Sequence, residues 1–391
     1  MTSPQKTQDS NGAAVPDADG QRDRVRDTTL PVMRERVASM SPSVSRVFIS
    51  FYTAILRLCA KMPVPTVKRQ RLYAIILMVC QGGITFTGSL VRVTGSGLGC
   101  PTWPQCHPGT FIPESGATPW VNQLIEFGNR TLTFVVSLAA LFAFLALLRA
   151  ARRNTMLHVA FLQGIGVIAQ AVIGGITVHL DLAWWIVMLH FLPSMLLVYF
   201  AAFLVVKVGE DDDAPRRATM PKALRWATWG SAITLAVTLV TGTMTTSSGP
   251  HAGDEAITQE HRLQIDLLEM ANLHAHSMYL YMGITIGLLA GLFAVRVDRR
   301  IRKAALWLIF GIVLQGFVGI LQYNLGVPRW TVPLHVIGSA IVTAMTGLLW
   351  AMRFRRGADT ADKDFDTEDT EDTADTEDTA SADARATEKT S

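Results

Sequence analysis

The feature that most restricts the fold of this chain is a series of eight apolar runs, each about 20 residues long, between Leu72 and Trp350. A helix of that length crosses the roughly 30 Å hydrocarbon core of a bilayer. The runs predict membrane spans at about 72–92, 125–148, 157–178, 184–206, 224–245, 270–295, 304–323 and 330–352. Only 17% of the 391 residues are charged, which excludes a soluble enzyme, a secreted disulfide-rich module and a nucleic-acid binder with one basic stripe. We therefore expect an all-α integral membrane protein.

Positively charged residues lie in alternate loops, and this pattern predicts the orientation of the spans. Lys and Arg precede the first span and follow the second, fourth, sixth and eighth, whereas segment 95–120 contains neither. Cytoplasmic loops carry the excess of Lys and Arg. Both termini are therefore expected in the cytoplasm, with the 95–120 loop on the outer face of the plasma membrane.

The two ends of the chain are polar and are predicted to be disordered. Residues 1–67 have the composition of a cytoplasmic tail, in which 44–60 is a candidate amphipathic helix on the membrane surface. Residues 357–391 hold 13 Asp/Glu against 3 Lys/Arg, a composition that repels itself and cannot bury a core.

The apolar region repeats itself with a shift of 145 residues, which places Asn129 on His274. Six identical pairs follow in the same register: Gly166 and Gly311, Gln170 and Gln315, Gly174 and Gly319, Leu180 and Leu325, Trp185 and Trp330, His190 and His335. A shift over four spans preserves orientation. We therefore predict two pseudo-symmetric four-helix bundles, 68–206 and 224–353, related by an axis along the membrane normal and joined by a cytoplasmic linker at 207–223.

Histidines inside the spans are candidate ligands, because ionisable residues are costly in a bilayer. His274 and His335 lie in neighbouring spans at similar depth, so their imidazoles are candidates for both axial positions of a haem iron. His276 competes with His274 from another side of the same helix. The remaining histidines are expected at the interface or in solvent: His107, His158, His179, His251 and His261.

The first half is not a copy of the second, because Asn129 replaces the first histidine. Glu126 precedes Asn129 by three residues and so shares its helix face. The carboxylate is expected in the same cavity as His190, where it accepts a proton or stabilises developing positive charge. The alternative is a surface charge near the start of the helix, stabilised by the helix dipole. The pattern indicates a permanent cofactor site in the second half and a more open substrate site in the first.

The loop after the first span contains Cys100 and Cys106 in the sequence GSLVRVTGSGLGCPTWPQC. The two cysteines lie on the expected oxidising face, and they form either a structural staple or a redox relay. Zinc is disfavoured because only His107 is close enough to add a third ligand. Cys59 and Cys80 have no partner in reach and are expected to be inert.

Three arginines lie at outer helix ends. Arg92 and Arg130 are expected either to extend to the interface or to pair with haem propionates, and Arg329 is the equivalent candidate in the second half.

These residues resemble the haem A synthase family over roughly 70–355. The resemblance rests on VRVTGSGLGCPTWPQC in the outer loop, IEFGNR around Glu126, MLHF at His190, LHA at His274 and VPLHVIGSA at His335. It implies two four-helix bundles, with haem b in the C-terminal half and haem O in the N-terminal half. It further implies oxidation of the C8 methyl group of haem O to a formyl group, through an alcohol and a hydrated aldehyde, which gives haem A for terminal oxidases.

The resemblance also implies residue roles and partners. His274 and His335 would be the axial ligands of haem b, Glu126 the catalytic carboxylate and His190 the residue that faces the substrate. The paired cysteines of the family correspond to Cys100 and Cys106, with a structural or electron-transfer role. Asn129 departs from the histidine of many members, so the substrate iron is expected to have at most one histidine ligand. Haem O is expected from a haem O synthase, and the sequence does not name the electron acceptor or donor.

Two other classes of protein also have repeated membrane bundles. A di-haem b-type cytochrome that carries electrons from quinol would explain histidine pairs, but it would not explain Asn129, Glu126 or the asymmetric Cys-containing loop. A transporter would explain two repeated bundles, although transporter repeats are often inverted and these are parallel.

Overall fold

The structure, a computed structural model, describes residues 63–114, 116 and 118–357. Within these ranges it contains eight long helices: α1 (Val67–Val93), α2 (Trp120–Arg149), α3 (Asn154–His179), α4 (Trp184–Lys207), α5 (Lys222–Ser248), α6 (Leu267–Ala294), α7 (Arg299–Asn324) and α8 (Thr331–Met352). Two short strands, β1 (Arg216–Ala218) and β2 (Phe354–Arg356), and a 3₁₀ turn at Gln259–His261 complete it. The candidate helix at 44–60 and nearly all of both tails lie outside the described residues.

All eight predicted spans are confirmed as helices that are long and apolar enough to cross a membrane. Most extend a few residues beyond the apolar runs into polar sequence. Side chains cap the starts of three helices. Thr66 accepts a hydrogen bond from the backbone N–H of Arg69 at the start of α1. Asp266 and Asp298 cap α6 and α7 in the same way. Hydropathy therefore locates the membrane-crossing part of each helix, and side-chain caps mark the starts of α1, α6 and α7.

The helices pack as two rings of four with matching neighbours. In the first half α1 contacts α2 and α4, and α3 contacts α2 and α4. In the second half α5 contacts α6 and α8, and α7 contacts α6 and α8. The halves meet where α8 packs against α1 and α4, and where α4 packs against α5. This packing agrees with the predicted repeat.

The apolar cores fill only one end of each ring. We call this end, which carries residues 207–223, the linker side, and the opposite end, which carries Cys100 and Cys106, the disulfide side. Fully buried residues such as Leu77, Leu204, Leu292 and Leu308 all lie toward the linker side of their helices. Side chains therefore close the linker side, and the disulfide side is left for the cavity described below.

The linker is held by features that the sequence did not indicate. β1 from the linker pairs antiparallel with β2, the segment that follows the last helix. Arg216 stacks on Phe354, with its guanidinium carbon 3.7 Å from the ring centroid. Asp212 forms ion pairs with Arg152 and Arg153 of the turn between α2 and α3, at 2.7 and 3.1 Å. Both halves are thus tied together on the linker side.

Candidate functional site

A cavity of about 1200 Å³ occupies the disulfide side of both halves. Pockets for a single small ligand have volumes of about 300–1,000 Å³, so this cavity is large enough for more than one. Its walls come from all eight helices and are mainly apolar. Four of the predicted site residues line it: Glu126, His190, His274 and His335.

The second half brings the imidazole rings of His274 and His335 close together, edge toward face. Their ring centroids are 6.2 Å apart and the ring planes are inclined at 75°. A metal ion bound at about 2.0 Å from one nitrogen of each imidazole separates such centroids by roughly 6 Å. The spacing therefore fits two axial ligands of one haem iron. His276 is exposed on another face of α6 and does not line the cavity.

The surroundings of the two rings also fit a bound metal. Thr241 lies 3.2 Å from Nδ1 of His274, which fixes the ring and leaves Nε2 for a ligand bond. Nδ1 of His335 is buried and has no hydrogen-bond partner among the described residues. A Cβ atom added at Gly242 would lie 2.9 Å from Cε1 of His274, and one at Gly319 would lie 3.1 Å from Cε1 of His335. Glycine at these two positions gives each imidazole its space.

His190 has a nearly identical setting in the first half. The side-chain amide of Gln170 donates to the backbone carbonyl of His190 at 2.6 Å, and Gln315 donates to that of His335 at the same distance. A Cβ atom at Gly174 would lie 3.3 Å from Cε1 of His190. Nδ1 of His190 is buried and has no partner among the described residues. The repeated glutamines and glycines therefore hold both histidines in one pose.

Asn129 stands where the first half would need a second histidine. Its Oδ1 accepts a hydrogen bond from the hydroxyl of Thr87 at 2.7 Å. Thr87 corresponds to Thr241, the partner of His274, in a register shifted by nine further residues because the loop in the first half is longer. The threonine is thus kept while the ligand is replaced. The Thr-Gly pairs at 87–88 and 241–242 are the sequence signal for this contact. They do not align in the 145-residue register, so the repeat did not reveal them.

Glu126 is buried, and both of its carboxylate oxygens are engaged by its surroundings. Oε2 accepts from the backbone N–H of Cys100 at 2.7 Å, and Oε1 accepts from Arg130 Nε at 3.1 Å and from a second Arg130 nitrogen. Arg130 also donates to the carbonyls of Cys100, Thr102 and Gln105. Because a guanidinium has five N–H donors, these contacts use all of them. Arg130 therefore neither extends to the interface nor has a free donor for a propionate in this conformation.

The 95–120 loop covers the first half of the cavity. A disulfide links Cys100 and Cys106, and the ring of Trp103 packs against Gly175 of α3. His107 is buried, and its Nε2 lies 2.8 Å from the side-chain oxygen of Gln123. The expectation that His107 is solvated was therefore wrong. Compositional reasoning could not foresee that a loop without apolar periodicity folds back over the helices.

Arg92 joins the two halves instead of extending to the interface. Its side chain donates to the carbonyls of His251 at 3.0 Å and Thr246 at 3.2 Å, both in the second half. The backbone N–H of Gly97 donates to the carbonyl of Gly253 at 2.9 Å beside it. Arg92 still lines the cavity, whereas Arg329 is exposed and does not. The prediction that Arg92 and Arg329 occupy equivalent positions was therefore wrong.

The helical part of the chain is similar to known proteins. The COX15-CtaA family, described as cytochrome oxidase assembly protein, matches residues 71–347. The heme A synthase of Lysinibacillus sphaericus is 36% identical over 166 residues, 41% of this chain and 52% of that protein. The heme A synthase of Exiguobacterium sibiricum is 30% identical over 177 residues, 42% of this chain and 58% of its own length. The chain thus spans about half the length of the curated relatives it matches.

Proposed function

Because the chain belongs to the COX15-CtaA family of cytochrome oxidase assembly proteins, we propose that it is a haem A synthase. The proposed reaction oxidises the C8 methyl group of haem O to the formyl group of haem A, for use by terminal oxidases. The observation that carries this proposal is that the two halves of the cavity have matching surroundings but different candidate ligand residues. One presents two facing histidines, and the other presents one histidine, Asn129 and Glu126. An electron carrier with two equivalent haems has no use for that difference.

The second half is the proposed site of a resident haem b, held by His274 and His335. A haem held by these two imidazoles would supply one-electron transfer. Thr241 orients the ring of His274, and Gln315 fixes the backbone of His335. The narrow spaces at Gly242 and Gly319 keep the rings from rotating away.

The first half is the proposed site of the substrate, haem O. His190 is its proposed single histidine ligand, and Asn129, which binds iron poorly, takes the position that His274 has in the second half. Glu126 is the proposed catalytic carboxylate, whose fixed negative charge would stabilise positive charge that develops on the substrate. Arg130 acts through Glu126 by fixing the position of its carboxylate, and Arg92 links the two halves beside the cavity.

The proposed setting is the plasma membrane, with the disulfide side on the outer face. Haem O synthase is the expected source of the substrate, and lipid surrounds the eight helices. Haem entry from the bilayer suits a hydrophobic porphyrin better than entry from water. The disulfide between Cys100 and Cys106 lies directly above the first half, next to Glu126, where either a structural or a redox role is possible.

The test of the activity is haem extraction from host membranes that lack endogenous haem A and that contain this chain together with a haem O synthase. We expect haem A, or its hydroxylated intermediate, only when the chain is present. If haem O accumulates unchanged while the purified protein carries haem B, the protein is an electron carrier. A purified protein without haem would instead support a transporter.

The catalytic role of Glu126 is tested by Glu126→Gln. The glutamine keeps an oxygen that accepts from the backbone N–H of Cys100, but it loses the negative charge that pairs with Arg130. We expect haem b to be retained and conversion of haem O to fall by at least about 100-fold, the scale of a lost acid–base or charge-stabilising group. Glu269→Gln, an exposed carboxylate near the corresponding end of α6, is the control. Conversion near the original rate in Glu126→Gln would remove Glu126 from the mechanism.

A further inference from the structure

The cavity reaches the outer surface of the first half in the middle of the membrane-spanning region. Phe134 of α2 and Ile168 and Val172 of α3 all line the cavity, yet they are 73%, 62% and 47% exposed. Phe134 lies at the midpoint of α2, and Ile168 lies close to that of α3. Exposed side chains at that depth face hydrocarbon. We call this gap, defined by Phe134, Ile168 and Val172, the α2–α3 opening.

The second half lacks the α3 side of this opening although its helices are equivalent. The 145-residue register places Phe134, Ile168 and Val172 on Tyr279, Val313 and Phe317. Tyr279 of α6 lines the cavity and is 52% exposed, as its counterpart Phe134 is on α2. Val313 and Phe317 of α7 are also exposed, at 54% and 62%, but neither lines the cavity. The second half is therefore closed along α7 at the depth where the first half is open along α3.

Nearer the disulfide side the relation between the halves is reversed. Ile320 of α7 lines the cavity and is 56% exposed. Its counterpart Gly175 is buried beneath the ring of Trp103, which belongs to the 95–120 loop. The loop thus covers the outer part of the first site, and the exposed edge of that site lies deeper in the bilayer.

We propose that the α2–α3 opening receives the isoprenoid tail of the substrate haem. This proposal rests on the proposed function, in which the first half binds haem O. The tail of haem O lies on the edge of the macrocycle opposite its two propionates. Propionates are charged and favour the polar end of the cavity, so the tail points toward mid-membrane, where the opening lies. Haem b has no such tail and needs no such opening, which accounts for the difference between the halves.

The test is to fill the opening with a larger side chain and measure haem binding. Ile168→Trp places an indole in the opening, and Val313→Trp places the same group at the equivalent exposed position of the second half. Purified protein is titrated with haem O and, separately, with haem B, and both haems are quantified by extraction. We expect Ile168→Trp to weaken haem O binding roughly tenfold, about what the loss of two buried methylene groups causes. Val313→Trp should bind haem O as the unmodified protein does.

A second variant keeps the test informative if Ile168→Trp does not fold. Val172→Phe introduces the residue that the second half already carries at the equivalent position, Phe317. It should weaken haem O binding in the same direction while the haem b absorption of the second half is unchanged.

Three results bear on the proposal in different ways. Equal haem O affinity in Ile168→Trp and Val313→Trp would overturn it. A matching loss of haem B binding to the first half would also overturn it, because a haem without a tail does not reach the opening. Failure of the unmodified protein to bind or convert haem O would instead overturn the proposed function.

Discussion

The titratable side chains in the cavity differ in which of their polar atoms are already hydrogen-bonded to neighbours. Thr241 occupies one nitrogen of His274, and the glutamines at 170 and 315 occupy the backbone of His190 and His335, not their rings. Each imidazole therefore keeps a ring nitrogen for a metal. Glu126 is the opposite case, since both of its oxygens are already hydrogen-bonded. Its contribution is a fixed charge in a preset position.

We expect His335→Met to remove or alter the haem b spectrum while the helices stay intact. The variant replaces one of two facing imidazoles by a thioether, which changes the axial ligand set. The measurement is the reduced-minus-oxidised difference spectrum of purified protein. His276→Met, on the exposed face of α6, should leave the spectrum unchanged. An unaltered spectrum in His335→Met would place the haem elsewhere.

Gly242→Ala should displace His274 and weaken haem b binding without unfolding the helix. The added Cβ lies 2.9 Å from Cε1 of the imidazole, closer than side-chain carbons approach, so the ring has to move. Gly88 is the matched control, because it is the counterpart of Gly242 and a Cβ there meets nothing within 4 Å. Haem b content per protein is the measurement. Equal content in the two variants would show that the ring position is not constrained by Gly242.

Sequence reasoning identified the residues of this site better than their contacts. In the 145-residue register, Gln170, Gly174 and His190 are identical to their counterparts in the second half. The glutamine and the glycine recur because each contacts the histidine that recurs with them. The sequence could not predict the contacts of Arg130, whose five N–H donors bind Glu126 and carbonyl groups of the loop. Those carbonyls belong to irregular backbone, and no periodicity predicts where irregular backbone lies.

At the scale of helices and loops, hydrophobicity locates the elements but not their ends. The apolar runs located all eight helices, and side-chain caps mark the starts of only α1, α6 and α7. The β1–β2 pair went unpredicted because three-residue strands rich in arginine show no alternation of apolar and polar residues. Their stability comes from contacts such as Arg216 on Phe354, which only the tertiary structure brings together.

Asp212→Asn should loosen the linker side and lower the melting temperature of the purified protein. The side chain forms ion pairs with Arg152 and Arg153 and accepts from the backbone N–H of Arg153, and all three residues are largely buried. Loss of such charge-assisted bonds costs about 2–3 kcal/mol. Asp211→Asn, at the exposed neighbouring position, is the control. Equal melting temperatures for the two variants would show that the ion pairs contribute little.

At the scale of the whole molecule, the two halves meet through a symmetric contact. Ala202 of α4 and Gly347 of α8 are equivalent in the 145-residue register, and they face each other at the centre of the interface. A Cβ at Gly347 would lie 3.3 Å from that of Ala202 and 2.6 Å from the carbonyl oxygen of Tyr199. Small residues here allow α4 and α8 to approach closely. The repeat predicted two bundles but not which helices form the interface between them. That α4 and α8 form it depends on the small side chains at these positions.

Gly347→Ala should therefore push the halves apart and destabilise the protein by about 1–3 kcal/mol, the usual cost of overpacking. The neighbour in the way is backbone, which cannot move aside as a flexible side chain can. Gly283→Ala is the control, since a Cβ there meets nothing within 4 Å and alanine favours the helix. Thermal unfolding in one detergent compares them. A melting temperature for Gly347→Ala at or above that of the control would contradict the close approach.

The contact between Ala202 and Gly347 also bears on how the two halves of such a molecule can come to differ in sequence. It is isologous, the arrangement found between the subunits of a twofold homodimer, except that here one covalent chain supplies both sides. In a homodimer every substitution appears at both sites at once, so a ligand lost from one is lost from the other. Joining the copies by residues 207–223 removes that constraint. Asn129 can then occupy one half while His274 is retained at the equivalent position of the other, so a symmetric architecture carries two different sites.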